Sequence, residues 1–339
     1  MYNFNYVLLC LISTFILYFF IKNRYFIGKF LKVLDKPGKN KIHTTTTPLI
    51  GSFPLFCISI LIIIYSYFSN IDHDLNFIFL TSYIFFLMGY IDDRYNLNAY
   101  LKLSISVIIY IFILSFSETL ILKNIYIESL NISYTFDKIG KFFTILCLLL
   151  LINSLNLVDG INGLASCFVT LWMLCLALLS NGNTQILLFI FSILILINTY
   201  HIIKGKYFLG DSGSLFFGSL VGLLTIYTYN NLLLLNFSIS VEKIFIFFMI
   251  PGIDMFRLFL FRIMIKKDPF SKDLNHMHHL ILKYFSLKTT LAIYFILFFI
   301  TNFLSFFNFL KPIIIIFIYL IIYVFFIFYT KEKFEKSPK

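Results

Sequence analysis

Asp92 and Asp93 stand side by side at the end of an apolar run. Adjacent carboxylates repel each other unless a cation lies near them. Neighbours on a helix point about 100° apart, so the pair is expected to have two tasks, not one shared ligand role. A solvated helix end followed by an ordinary turn fits the same residues. A second group runs Asn153-Ser-Leu-Asn156-Leu-Val-Asp159-Gly160-Ile-Asn162-Gly163. Spacing by three predicts that Asn153, Asn156 and Asp159 share one helix face. Gly160 and Gly163 are expected to end that helix and let backbone approach a ligand. A polar patch between helices with a tight loop is the plainer alternative.

A third group, Gly205-Lys-Tyr-Phe-Leu-Gly210-Asp211-Ser212-Gly213-Ser214, places glycine on either side of Asp211. That leaves the carboxylate unobstructed, and the two serines with the start of the next helix suit phosphate. No Gly-Lys-Ser/Thr run follows, so this is not a P-loop. A glycine-rich turn with Asp or Ser capping the helix also fits. The fourth group, Asn275-His276-Met277-His278-His279, holds three of the six histidines. On a helix His276 and His279 share a face and His278 does not. No cysteine accompanies them as in many zinc sites, and Mg²⁺ disfavours imidazole. Phosphate contact beside the neighbouring Lys and Arg fits better than a solvated cluster. Asp254, three residues after Pro251, is an ionisable group inside an apolar run. An i+3 pair with Arg257 also accounts for it, and it ranks below the four groups. Several Asp, flanking glycine loops, His and Lys/Arg together suit Mg²⁺ and a pyrophosphate.

Such residues need elements to hold them. The chain has 339 residues, 60% hydrophobic, 20% aromatic and 13% charged, against roughly 25% charged in a soluble domain. Apolar runs long enough for a bilayer recur at about 4–21, 49–69, 75–91, 101–122, 142–158, 164–180, 184–203, 214–235, 241–260, 288–308 and 312–330. The expected fold is therefore all-α, a polytopic membrane protein of about eleven transmembrane helices in one domain over residues 1–339. No small-residue cleavage site follows 4–21, and Lys22 and Arg24 come after it, so an uncleaved first span is expected. Placing the N-terminus outside puts 22 of the 27 Lys and Arg inside. Seven lie in the first loop, two near Arg94, two at Lys204 and Lys206, seven after span nine and four in the tail. This bias makes the inside the cytoplasm. The C-terminus and the loops at about 22–48, 92–100, 159–163, 204–213 and 261–287 then face it, and all four polar groups fall there. Topology and lipid headgroups account for the net charge of +11 without nucleic acid. The five cysteines lie inside apolar runs with no ligand spacing.

These motifs, in this order, resemble the polyprenyl-phosphate N-acetylhexosamine-1-phosphate transferases of glycosyltransferase family 4. The resemblance begins with Lys41-Ile-His43, Thr47-Pro48 and Gly51. Gly89-Tyr-Ile-Asp92-Asp93 through Lys102 is similar to the family's D-D-x-x-D/N segment. Asn156 to Gly163 matches N-x-x-D-G-x-D/N-G, and Gly210-Asp211-Ser-Gly213-Ser214 matches G-D-x-G-S. Pro269-Phe-Ser271 with His276-Met-His278-His279 resembles the P-F-S and H-x-H-H pair. Asn96 and Asn162 stand where many members carry Asp. The resemblance implies a membrane enzyme of a bacterial cytoplasmic (inner) membrane. It would transfer N-acetylhexosamine 1-phosphate from a UDP-sugar to undecaprenyl phosphate, release UMP and start a lipid-linked cell-envelope glycan. The H-x-H-H form is similar to the branch using UDP-N-acetylglucosamine. By the same resemblance, Asp92 and Asp93 are catalytic and position or deprotonate the lipid phosphate. Asp211 holds Mg²⁺ (or Mn²⁺), with Asp92 and Asp93 near it. Asn153, Asn156, Asp159, Gly160 and Asn162 bind the nucleotide sugar. His276, His278, His279 and Lys102 bind phosphates, and a homodimer is expected.

Two other readings compete. A phospho-N-acetylmuramoyl-pentapeptide transferase typically shows three consecutive histidines, a run that Met277 breaks. A lipid-linked sugar transporter would place polar residues near the midplane and carry an internal repeat, whereas here the polar groups sit at one surface.

Overall fold

The computed structural model of the protein describes residues 2–37, 45–69, 71, 73–136, 139–234, 239–271 and 274–335. The Lys41-Ile-His43 part of the first motif lies outside them. Apolar sequence with little sidedness favours helices, because lipid offers backbone groups no partners. The chain accordingly runs α1 (Tyr2–Lys22), α2 (Arg24–Phe30), β1 (Leu34–Asp35), β2 (Thr47–Pro48), α3 (Phe53–Phe68), α4 (His73–Tyr95) and α5 (Ala99–Ile113). A 3-10 turn (Glu118–Leu120), β3 (Asn124–Ile127), β4 (Ile132–Thr135), α6 (Gly140–Val158), α7 (Leu164–Leu179) and α8 (Gly182–Ile203) follow. The chain ends with α9 (Gly210–Leu234), α10 (Val241–Met264), α11 (Met277–Leu282), α12 (Leu287–Phe306) and α13 (Pro312–Glu335).

Eight of these helices are long and apolar enough to cross a membrane: α1, α4, α6, α8, α9, α10, α12 and α13. The apolar helices α3, α5 and α7 have only 15 or 16 residues, a rise of about 24 Å or less. Each expected span holds one helix. The fourth is shorter than expected, since α5 stops at Ile113 ahead of the 3-10 turn. The all-α expectation needs a second correction. β1 pairs with β2, and β3 with β4, both antiparallel. β-Branched and tyrosine residues flank the Glu128–Asn131 turn, where Asn131 takes φ +52°, and this favours a hairpin.

The contacts divide into two compact units. The first comprises Met1–Ile121 and Lys141–Asn231; the second comprises Leu122–Gly140 and Leu232–Lys339. In the first, α9 is the most enclosed of the spanning helices, and its small residues let neighbours approach. A Cβ on Gly218 would lie 2.9 Å from Ile152 Cα, and one on Gly222 would lie 2.7 Å from Leu148 Cδ2, so α6 lies close along α9. A Cβ on Gly89 would lie 2.3 Å from the Asp211 carbonyl oxygen, so α4 crosses the start of α9 backbone to backbone. The segment entering α3 joins them: Gly51 N donates to Phe208 O (2.8 Å), and Phe208 N donates to Pro48 O (2.9 Å). In the second unit α10, α12 and α13 pack together, and β3 leans on α10. Glu242 on α10 accepts the Glu128 (2.6 Å) and Ser129 (3.2 Å) amides of the hairpin turn. Beside it Lys243 pairs with Glu128 at 3.1 Å.

Candidate functional site

In the first unit, the close approaches of α4 and α6 to α9 bring three of the four sequence groups together. Asp92 is buried at 3% exposure. One of its oxygens accepts Leu97 N (2.7 Å), and the other takes Lys102 Nζ (2.5 Å) from α5. Lys102 Nζ also lies 3.9 Å from Asp211 Oδ2. The Asp92 and Asp211 carboxyls are within hydrogen-bonding reach of each other. On the other side Asn156 Nδ2 donates to Asp211 Oδ1 (2.6 Å) and to Ser214 Oγ (2.9 Å). Asp93 faces elsewhere, as expected for the neighbour of Asp92. Its two oxygens accept Asp211 N (2.8 Å) and Ser212 N (3.0 Å), the first amides of α9. Asp159 lies beside Gly210. Burial pushes the Asp159 carboxyl well above its ordinary value, and the Asp211 and Asp93 charges push the same way.

Several expectations change at this point. The start of α9 is not open to a ligand phosphate at Asp211 N and Ser212 N, because Asp93 takes both. The cap comes from α4, not from the helix's own Asp or Ser. Asn153 shares the face of Asn156 and Asp159, but its Nδ2 donates to Leu149 O within α6 (2.7 Å). Asn162 sits beside Gly205, whose added Cβ would lie 3.7 Å from the Asn162 amide nitrogen. Gly163, at φ +88°, turns the chain into α7, while Gly160 is exposed. Asn96 is the left-handed residue that closes α4, at φ +52°, a conformation asparagine tolerates well.

The histidine group and Asp254 meet in the second unit, and Asp254 is its centre. Its carboxylate accepts Tyr323 OH (2.6 Å), Arg257 Nη2 (3.0 Å) and Met277 N (3.1 Å), and it pairs with His276 Nδ1 (2.9 Å). Arg257 also donates to Asn275 O (2.7 Å) and to Tyr323 OH (2.5 Å). The i+3 pair with Arg257 therefore forms as one bond among several. His276 and His278 stack at 5.4 Å, and His278 lies 4.3 Å from His279, ring centre to ring centre. His276 and His278 are both buried. Among the described residues, His278 Nε2 has no hydrogen-bond partner. Burial and the neighbouring His279 hold its imidazole well below the ordinary value, so it is neutral.

Among the described residues no group of three or more His, Cys, Asp or Glu is arranged to hold a metal by itself. Asp92 and Asp211 nevertheless offer adjacent hard oxygens with one nearby cation, Lys102. Two carboxylates completed by substrate phosphate oxygens is a usual setting for Mg²⁺, and the residues present fit that ion.

Comparison with known proteins agrees with the motif resemblance. Residues 75–229 match the family model of glycosyl transferase family 4. A probable undecaprenyl-phosphate N-acetylglucosaminyl 1-phosphate transferase of Bacillus subtilis (strain 168) is 26% identical over 254 residues, covering 73% of this chain and 68% of its own. The undecaprenyl-phosphate alpha-N-acetylglucosaminyl 1-phosphate transferase of Escherichia coli (strain K12) is 26% identical over 291 residues, 80% of this chain and 74% of its own. Its namesake in Thermotoga maritima is 25% identical over 252 residues, 74% of each chain. The family match contains Asp92, Asp93, Asn156, Asp159 and Asp211; the histidine cluster lies beyond it.

Proposed function

We propose that this protein transfers N-acetylglucosamine 1-phosphate from UDP-N-acetylglucosamine to undecaprenyl phosphate, releasing UMP. The reading rests above all on Asp92, Lys102, Asp211 and Asn156 converging at the ends of apolar helices. The names of the relatives support the acceptor and the transferred group. An oxygen of the lipid phosphate would attack the phosphorus bearing the sugar, and the bond from that phosphorus to the UMP oxygen would break. Both reactants are anions, so charge neutralisation is the main obstacle. Mg²⁺ held by Asp92 and Asp211 would supply that neutralisation when bound. Lys102 adds a cation beside both carboxylates, and Asn156 fixes the Asp211 carboxylate. Asp92, already hydrogen-bonded to Leu97 N and Lys102, is the candidate to orient the lipid phosphate. His276, His278 and His279 remain candidates for phosphate contact, and Asp159 and Asn162 for the nucleotide.

The reading carries a topology: eleven membrane crossings, N-terminus outside, C-terminus and reacting groups on the cytoplasmic side of a bacterial inner membrane. A homodimer and lipid chains lying between helices belong to the same reading. The test is purified protein with undecaprenyl phosphate and a panel of UDP-sugars, with UMP measured. UMP should form only when both substrates are present, and fastest with UDP-N-acetylglucosamine. A chelator should stop the reaction, and Asp211→Asn should lower it by about 10²–10³-fold. Movement of lipid-linked sugar across vesicles without UMP would overturn this reading in favour of a transporter. UMP formed chiefly from the muramoyl-pentapeptide donor would reassign the branch.

A further inference from the structure

We propose that Asp93 is a positioning residue: its carboxylate closes the N-terminus of α9 and thereby fixes Asp211, while the reacting groups are Asp92 and Asp211. Gly89 and Asp93 are four residues apart and so share one face of α4, the face against α9. At Gly89 the gap between the two backbones is too small for a methyl group. One turn further on, the Asp93 carboxylate spans from α4 to the first amides of α9, one oxygen to Asp211 N and the other to Ser212 N. Gly210 precedes them at φ +78°, and a Cβ there would lie 2.8 Å from Asp93 Oδ2. Glycine is thus needed twice around one carboxylate, once for the crossing and once for the turn. Two successive amides at a helix start, each otherwise without an intrahelical partner, are therefore bound by one carboxylate from a different helix.

The backbone of Asp211 is gripped while its side chain stays outside the grip, turned toward Asp92, Lys102 and Asn156. Asp93 acts on the site through Asp211, and both of its oxygens are directed at backbone. Asp92 bears on the chemistry instead, since one of its oxygens meets Lys102 and its carboxyl reaches Asp211. The clamp stands on these contacts alone; its bearing on transfer rests on the reaction proposed above.

Backbone hydrogen exchange of the full-length protein in detergent or nanodiscs tests the clamp without any substrate. Asn in place of Asp93 keeps one acceptor and turns an NH₂ toward the second amide. Exchange at Asp211 and Ser212 should then rise about tenfold or more, while α7 and α8 exchange as in the parent. Asp92→Asn should leave the Asp211 and Ser212 amides within about twofold. Gly210→Ala, which presses a methyl onto Asp93 Oδ2, should release the same two amides and serves if Asp93→Asn does not fold. In the transfer assay Asp93→Asn should weaken apparent Mg²⁺ affinity while keeping the shape of the pH profile of kcat. Parent-level protection of Asp211 and Ser212 in both variants would overturn the clamp. Unchanged Mg²⁺ affinity with loss of one limb of the pH profile would make Asp93 a reacting base. Released amides in a protein that forms no UMP would leave the clamp standing and remove only the transferase reading.

Discussion

Asp254 gathers four donors from three segments, and the buried charge is satisfied only while all of them hold. Asp254→Asn keeps the size but not the charge, leaving Arg257 and His276 without their anion. Breaking one side of a buried ion pair costs several kcal/mol. We expect a loss of about 3 kcal/mol in the second unit, read as a lower thermal midpoint in detergent. His278 gives a second, pH-linked prediction. Its folded form is held well below the ordinary imidazole value of 6.5, whereas the unfolded chain takes up a proton below that pH. Stability is therefore intact above about pH 6.5 and falls as pH drops below it. A His278→Phe variant should show a flatter decline, measured by thermal melts between pH 5 and 7.5. The acidic pair and the Gly-Asp-Ser loop were legible in the sequence because each is a short local pattern. Asp254 was undervalued because its partners are distant along the chain: His276 is 22 residues away and Tyr323 is 69. Only its placement in an apolar run marked it.

Helices in this protein are set by glycine as much as by apolar bulk. Gly89→Ala would drive a methyl into the Asp211 carbonyl. The neighbour is backbone, so α4 and α9 must separate. Overpacking of this kind costs about 1–3 kcal/mol, and the Asp93 bonds to α9 would lengthen with it. The expected outcome is a lower melting midpoint together with near-complete loss of UMP formation. Gly182→Ala provides the contrast, since its added Cβ meets nothing within 4 Å, although its φ of +58° carries some strain. The helices themselves were visible in the sequence as apolar runs. What the runs could not show is which glycines are contact points and which only end a helix. The pairing of β3 with β4 was missed because four-residue strands fall below the window in which a membrane span is read.

Across the whole molecule, the distribution of Lys and Arg makes a prediction about sidedness that labelling can check. In a background lacking the five native cysteines, Ser129→Cys in the hairpin turn should react with a membrane-impermeant maleimide in intact cells. Lys204→Cys should react only after the membrane is opened. The reverse pattern would invert the topology, and labelling of both would mean a span has been miscounted. The apolar runs were legible because each is long enough to read as a helix, and each holds one. Which short helices cross was not, because α3, α5 and α7 are too short to be judged by length alone.

The hairpin turn is held against α10 by Glu242 and Lys243, and β4, the strand that leaves it, is exposed throughout. Membrane proteins of this size offer few rigid features beyond their helices for aligning particle images. A turn fixed through its own amides is a ready-made epitope, and an antibody fragment recognising residues 128–133 would give cryo-microscopy a fiducial.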